Sequence, residues 1–172
     1  MRRLPKRIFI IGPPGSGKSY LADRLSELTG IKHYDTDDMR YIRKYDIVRP
    51  IAARRRKLVA VAKRDSWIIA GVSLSFSDAA IERSQLIVIL WEKFHLTAFR
   101  IIRRSIMRVL SKMPSKESVG GTLKLVKWNY EAFHKKGGKQ AKLLGQIRKK
   151  YRQKVLMLKS KKEVAAFIEK FG

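Results

Sequence analysis

The sequence contains no cysteine. Its absence excludes a disulfide framework and any metal site built from thiolates, and it is typical of proteins in a reducing cytosol. Uncharged runs are also short: the longest covers residues 66–77, well below the ~18 apolar residues that a transmembrane helix needs. The apolar run at residues 8–11 is too short for the core of a signal peptide. We therefore expect a soluble, cytoplasmic protein with no membrane partner.

Acidic residues are scarce. The chain has 14 Asp and Glu against 40 Lys and Arg, a formal net charge of +26. A field of this size concentrates phosphates and other anions. No acidic residue occurs between Glu131 and Glu163, a span that we call the basic span. Two interpretations of the basic span stay open: a nucleic-acid-binding surface, or a solvated basic surface without a partner.

Other classes of site lack the residues that they require. His33, His95 and His134 are isolated in the sequence, so neither a zinc site nor a nucleophile triad is predicted. No repeat or low-complexity tract is present, and 172 residues suit one domain with a real core. Nothing resembles a coiled coil or a swapped element, so we expect a single domain over residues 1–172 and a monomer.

One segment carries a specific chemical signature. Residues 12–19 read GPPGSGKS and fit the phosphate-binding pattern G-x-x-x-x-G-K-[ST]. A short apolar run precedes the motif and a helical pattern follows it, so the motif lies between a buried strand and a helix N-terminus. A chance glycine-rich turn is the alternative, and this context argues against it.

The residue types of this loop suit a triphosphate. Glycines allow successive N–H groups to turn inward around phosphate oxygens, at the positive end of the following helix. Lys18 can reach the β- and γ-phosphates, and the Ser19 hydroxyl can coordinate Mg²⁺. The prolines stiffen the loop but donate no hydrogen bond. The predicted ATP-binding residues are Gly12, Pro13, Pro14, Gly15, Ser16, Gly17, Lys18 and Ser19.

Two carboxylates follow the next predicted strand, residues 31–35. If that strand runs parallel to the first, Asp35 and Asp37 lie on the nucleotide side of the sheet. Carboxylates there can hold Mg²⁺ through water or accept a proton from an attacking hydroxyl. The alternative is that Asp35, Thr36 or Asp37 caps a helix over residues 38–44. Both interpretations stay open, because capping does not exclude catalysis.

Arginines supply the remaining candidates. Arg100 and Arg104 are four residues apart on a predicted helix over residues 93–110 and share one face. Phosphoryl transfer spreads negative charge over the moving group, and arginines over the site neutralise it. A basic surface helix is the alternative. Arg40, Arg43 or the basic run at residues 54–57 could bind a substrate phosphate, but a solvated helix face is the preferred explanation for most of these arginines.

Apolar runs at residues 65–71, 85–91 and 154–158 predict three more strands. Because strands and helical patterns alternate, the chain is expected to form a three-layer α/β domain. Neither of the first two runs ends in aspartate, so no conventional second metal-binding acid is evident. Residues 111–121 break the helical pattern. The aromatic residues of the next predicted helix, residues 122–136, are expected to pack against a neighbouring helix rather than to stack on bases.

With these motifs in order, the chain resembles the P-loop kinases of the adenylate kinase-like group, and most closely the DNA topology modulation proteins. The resemblance rests on residues 12–19, 34–37 and 65–71, the arginine helix, Trp128-Asn129 and the closing strand-helix unit. It implies a P-loop NTPase fold whose five-stranded parallel sheet, in order 2-3-1-4-5, carries helices on both faces. It also implies a substrate-binding insertion at about residues 36–64 and a helical lid at about residues 100–136.

The resemblance also implies roles. Asp35-Thr36-Asp37 is similar to the D-x-D of shikimate kinase-type enzymes, in which carboxylates contact Mg²⁺-bound water and the acceptor hydroxyl. Arg100 and Arg104 match arginines that pack on the adenine and contact the transferring phosphate. Gly71 lies in the loop after strand three, where topology modulation proteins often have an acidic residue followed by Gly-Asn-Tyr; here the sequence is Ala70-Gly71-Val72-Ser73.

The expected function is transfer of the γ-phosphate of ATP to a small hydroxyl or phosphate acceptor. The catalytic candidates are Lys18, Asp37, Arg100 and Arg104, the Mg²⁺ candidates are Ser19 and Asp35, and the substrate candidates are Asp37, Arg40 and Gly71. The alternative is a basic nucleic-acid-binding NTPase or a regulator of DNA topology.

Overall fold

The apolar runs of the sequence form the strands of a parallel sheet. The computed structural model describes residues 5–43, 47–72, 76–110 and 119–171. Within them the strands are β1 (Arg7–Ile11), β2 (His33–Asp35), β3 (Tyr41–Arg43), β4 (Ile47–Val48), β5 (Trp67–Gly71), β6 (Leu86–Leu90) and β7 (Val155–Leu158).

Five of these strands form one sheet in the order β2-β5-β1-β6-β7, and every neighbouring pair is parallel. The predicted five-stranded parallel sheet is therefore confirmed. The chain numbering departs from the predicted 2-3-1-4-5 because β3 and β4, which were not anticipated, form a separate antiparallel hairpin. Strand β1 is central, so the loop that follows it opens at the middle of the carboxyl edge.

Helices connect the strands. They are α1 (Lys18–Thr29), α2 (Thr36–Arg40), α3 (Ile51–Ala62), α4 (Asp78–Arg83), α5 (Phe94–Leu110), α6 (Val119–Asn129), α7 (Lys139–Lys150) and α8 (Lys161–Ile168). A π-helical segment, Tyr130–His134, continues α6, and single 3₁₀ turns occupy Arg152–Lys154 and Glu169–Phe171. No helix of the described residues has the length and apolar character of a membrane-spanning segment.

The central strand shows why the sheet is covered on both faces. Along β1, successive side chains point to opposite faces. Phe9 and Ile11 join a core cluster that includes Leu58 of α3 and Leu144 of α7. Ile8 and Ile10 join a second cluster, formed with α1 and α8, which includes Leu21, Leu25 and Phe167. These four side chains have no exposed surface, so the predicted three layers are present.

Several predicted boundaries were wrong. The helix expected over residues 38–44 is instead α2, Thr36–Arg40, followed directly by β3. Gly120 and Gly121 lie inside α6 and do not break it. Residues 111–118 are outside the described residues, so the helical lid stays a prediction. The expected packing of the aromatic residues against a neighbouring helix is present for Tyr130, whose ring centre lies 5.2 Å from that of Phe94 in α5. Phe133 is 1% exposed and lies against Trp91, whereas Trp128 is 40% exposed.

Candidate active site

The loop at residues 12–19 turns through two left-handed glycines. Gly15 has φ 76° and Gly17 has φ 90°, values that side chains other than glycine rarely adopt. Gly12 is needed for a different reason, since a Cβ there would overlap the Leu90 carbonyl oxygen. Gly17 is the N-cap of α1, so the loop delivers the chain directly to the positive end of that helix.

Lys18, the first residue of α1, is folded into the loop. Its ammonium donates a hydrogen bond of 2.7 Å to the Pro13 carbonyl oxygen, which also accepts the Ser16 N–H at 3.2 Å. Lys18 is only 9% exposed. An ammonium carries three donors, so two remain for a ligand while the Pro13 bond is kept. The following residue, Ser19, is exposed at the mouth of the loop.

The pKa of Lys18 is affected by charged residues from two other parts of the chain. Burial lowers the pKa of Lys18 to about 8, because desolvation disfavours the charged ammonium. The charges of Asp37 and Asp35 oppose this effect, and the charge of Arg104 adds to the lowering of the pKa. The predicted lysine, the aspartate pair and one arginine of α5 therefore lie close enough for their charges to interact.

The aspartate pair lies where β2 becomes α2. Asp35 is the N-cap of α2, and its Oδ1 accepts the Asp37 N–H at 2.8 Å. Asp37 lies in the first turn of the helix. The predicted capping is thus present, with Asp35 as the capping residue. Because the cap uses Oδ1, it leaves Oδ2 for other ligands.

Gly71 ends β5 beside this turn. It is buried, and a Cβ at this position would overlap the Thr36 side chain. Glycine is therefore required here for close packing of β5 against α2. Its contacts are structural, and a substrate role for Gly71 stays a prediction.

Helix α5 packs directly on the phosphate-binding loop. A Cβ on Gly15 would lie 2.5 Å from the Thr97 carbonyl oxygen and 3.2 Å from Ile101 Cγ1, so nothing larger than glycine fits between loop and helix. The Thr97 hydroxyl donates to the Phe94 carbonyl oxygen and accepts the Asn129 amide at 3.0 Å. Helix α5 is thus fixed between the loop on one side and α6 on the other.

Arg100 is held in this interface by an acidic residue that the sequence analysis missed. Its guanidinium donates to both carboxylate oxygens of Glu92 and, at 3.0 Å, to the Gly15 carbonyl oxygen. Glu92 is 5% exposed. Two parallel N–H···O bonds fix the plane of the guanidinium, so Glu92 sets the orientation of Arg100 and links it to the loop. Arg104, one turn later, is exposed.

Glu92 had a usable signal in the sequence. It lies just after the apolar strand β6, at the carboxyl edge where ligands of parallel sheets bind. The same position relative to a strand predicted Asp35 and Asp37, and a glutamate after β6 carries the same signal as an aspartate.

Arg40 is not joined to this group by any contact among the described residues. It ends α2, its guanidinium lies 5.3 Å from the centre of the Tyr41 ring, and its buried Nε has no hydrogen-bond partner there. A role for Arg40 in substrate binding stays a prediction.

The donor atoms present suit Mg²⁺ held partly by a nucleotide. Ser19 and Asp35 offer a hydroxyl and a carboxylate oxygen, which are hard ligands of the kind that Mg²⁺ prefers. Among the described residues, no three His, Cys, Asp or Glu side chains cluster to form a metal cage. Mg²⁺ usually keeps several waters and binds through one or two protein oxygens plus substrate phosphates, so the donor set fits this mode.

Comparison with known sequences gives a partial match. No protein-family model matches the chain. An uncharacterized protein of Bacillus subtilis (strain 168), YqaC, is 29% identical over 106 residues, which cover 61% of this chain and 60% of that protein. The aligned part thus spans less than two thirds of that relative's length.

Two solved structures are similar over nearly the whole chain. A gluconokinase from Sinorhizobium meliloti 1021 has a TM-score of 0.56 at 17% identity, covering 99% of this chain and 91% of its own. A shikimate kinase from Bacteroides thetaiotaomicron has a TM-score of 0.56 at 15% identity, covering 97% and 96%. The protein thus has the α/β fold of P-loop kinases. The narrower resemblance to DNA topology modulation proteins stays a prediction.

Proposed function

We propose that this protein is an ATP- and Mg²⁺-dependent phosphotransferase that moves the γ-phosphate of ATP to a small acceptor. The observation that carries the proposal is the environment of Lys18, on whose ammonium the charges of Asp35, Asp37 and Arg104 all act. A phosphate-binding lysine, a pair of carboxylates and an arginine are the parts that phosphoryl transfer requires.

In this proposal the loop binds the triphosphate. The N–H groups from Gly15 onward and the Lys18 ammonium neutralise the β- and γ-phosphates, aided by the N-terminus of α1. Ser19 and Asp35 hold Mg²⁺, which, when bound, screens the phosphate charge. Arg100, oriented by Glu92, lies against the loop and packs on the adenine. Arg104, on the same face of α5, contacts the transferring phosphate.

Asp37 is proposed to orient the acceptor hydroxyl and to accept its proton. It lies in the first turn of α2, and the Asp35 cap fixes the backbone of that turn. The segment between β2 and β5, which contains α2, the β3–β4 hairpin and α3, would supply the acceptor site with Arg40 and Gly71 as contacts. The structural neighbours are named as a gluconokinase and a shikimate kinase, so hydroxy acids are the first acceptors to test.

The test measures ADP release with Mg²⁺ and ATP over panels of hydroxy acids, nucleosides, nucleotides and oligonucleotides. At least one acceptor should stimulate turnover in the wild type, and Lys18→Ala should abolish it. Lys170→Ala removes the same charge from an exposed position in the closing 3₁₀ turn, Glu169–Phe171, and should leave turnover unchanged. Thermal melts establish that each variant is folded. Equal turnover in wild type and Lys18→Ala would contradict the proposal.

A further inference from the structure

A groove runs along the outer edge of the sheet, far from the phosphate-binding loop. It lies between α7 and the edge strand β7, has a volume of about 430 Å³, and is lined by Gly145, Arg148, Lys149, Arg152, Val155 and Met157. Its arginine-rich end adjoins the amino end of β7. Since β7 and β1 run in the same direction, the loop after β1 lies at the opposite edge. We call this feature the α7–β7 groove.

The cations of this groove are available to a ligand. Arg148, Lys149 and Arg152 are exposed, and no carboxylate of the described residues forms an ion pair with them. They belong to the basic span, in which acidic residues are absent altogether. Lys154, only two residues further on, is different: its ammonium donates to the carbonyl oxygens of Ile81, Glu82 and Ser84.

One residue of the groove, Gly145, is a glycine that neither backbone conformation nor packing requires. Gly145 lies in the middle of α7, where glycine is destabilising relative to alanine. Its φ is not positive, and a Cβ added there would meet no atom within 4 Å. Neither backbone conformation nor packing therefore explains it. What glycine does provide is room beside Arg148 and Lys149.

The floor of the groove is apolar. Val155 and Met157 are two residues apart on β7, so their side chains lie on one face of the strand, and both are half-buried. A ligand that fills the groove thus meets cations and an apolar surface together. Phosphates with adjoining bases match this combination, because each nucleotide couples a charged group to an apolar face.

We propose that the α7–β7 groove binds single-stranded nucleic acid. The phosphodiester backbone lies on Arg148, Lys149 and Arg152, and a base covers Val155 and Met157 beside Gly145. A duplex, whose bases are stacked and paired, would touch the cations and leave the apolar floor uncovered. The proposal does not depend on the phosphotransferase activity, because its residues are separate from those around Lys18.

The test uses fluorescence anisotropy with labelled single-stranded oligonucleotides of mixed sequence, in DNA and RNA form. The groove variant Arg148→Gln/Lys149→Gln/Arg152→Gln is compared with Lys161→Gln/Lys162→Gln/Lys170→Gln. This second variant also loses three positive charges, from exposed positions on or next to α8. Because each single-strand phosphate contact contributes about 0.7 to the slope of log affinity against log salt, the groove variant should lose about 2 from that slope.

We expect the groove variant to bind at least tenfold more weakly than the wild type near physiological salt, and the α8 variant to bind much as the wild type does. Gly145→Ala should raise Tm and still weaken binding, since the added methyl group narrows the groove. An equal loss in both triple variants would overturn the proposal, because it would assign binding to net charge. No binding by the wild type would also overturn it.

Competition identifies the class of ligand. Duplex DNA, poly-glutamate and vesicles of anionic lipid should each displace the labelled single strand less well than unlabelled single strands of equal charge. A polyanion that displaces the strand equally well would overturn the assignment to single-stranded nucleic acid.

Discussion

The burial of Lys18 should make the proposed ATP binding sensitive to pH near 8. The pKa of Lys18 is lowered to about 8 because the buried ammonium loses its hydration, an effect that Asp37 and Asp35 only partly offset. In the proposed function, the protonated form of Lys18 binds phosphate. Raising the pH through 8 should therefore remove the charge that the triphosphate needs, whereas a solvent-exposed lysine would stay charged.

The size of the effect follows from the pKa. If only protonated Lys18 binds, the apparent Kd is multiplied by 1 + 10^(pH − pKa), which is about 1.1 at pH 7 and about 11 at pH 9 for a pKa of about 8. ATP affinity should thus fall about tenfold between these pH values, or about 1.4 kcal/mol. With the ordinary lysine pKa of about 10.4, the change would be only a few per cent.

The assay is calorimetry of ATP binding between pH 7 and 9 in buffers of different ionisation enthalpy. At pH 9 binding should take up close to one proton, and Lys18→Arg, whose guanidinium stays charged, should remove both the uptake and the pH dependence. A Kd that is constant from pH 7 to 9 in the wild type would refute the reasoning.

Folding stability should rise with pH over a range in which ATP affinity should fall. Lys18 titrates at about 8 when folded and at about 10.5 when unfolded, so below pH 8 the folded state bears the full cost of a buried charge. As the pH rises from 8 towards 10.5 this cost disappears, and the free energy of unfolding should rise by about 3 kcal/mol relative to Lys18→Met. Urea unfolding measures the difference, and a fall over this window would contradict the assignment of the pKa.

Substitutions at three positions test the surroundings of the site. Glu92→Ala leaves the Arg100 guanidinium, which is partly exposed, without its carboxylate partner and should cost about 1.5–3 kcal/mol in urea unfolding, with a smaller cost for Glu92→Gln; an unchanged midpoint for Glu92→Ala would contradict the ion pair. Asp35→Asn keeps the N-cap acceptor and should retain stability while reducing Mg²⁺-dependent turnover, whereas Asp35→Ala should also cost about 1 kcal/mol; full turnover in both would exclude Asp35 from metal binding. Gly71→Ala forces a methyl group into Thr36 and should lower stability by about 1–3 kcal/mol, and an unchanged Tm would show that β5 and α2 are not packed so closely.

The parts that sequence analysis predicted are those encoded locally. The phosphate-binding loop is recognised because its whole motif lies in eight consecutive residues. The sheet is predictable because buried parallel strands are continuous apolar runs. The cap by Asp35 follows from its position between a strand and a helix.

The parts that it missed depend on contacts between distant segments or on very short elements. The β3–β4 hairpin has strands of three and two residues, too short to show a period. The Arg100 contact with the Gly15 carbonyl joins residues 85 positions apart. Glu92 and Arg100 are eight residues apart and only the arginine lies in α5, so no helical spacing could pair them. Such contacts appear only when the fold brings the segments together.

The structure also separates the cations of the chain into two kinds: those that donate to oxygens of the protein and those that do not. Composition alone could not make this distinction. Lys18, Arg100 and Lys154 each donate to carbonyl or carboxylate oxygens of the protein itself, so they serve the fold or the site. Arg148 and Arg152 donate to no such oxygen within the described residues, although each keeps a guanidinium with five donors. Neutralising a cation of the first kind should therefore change stability or nucleotide binding at any salt concentration. Neutralising one of the second kind should matter only when an external polyanion is present, and less as salt rises. The net charge of +26 thus contains both kinds of cation, and substitutions can neutralise either kind without the other.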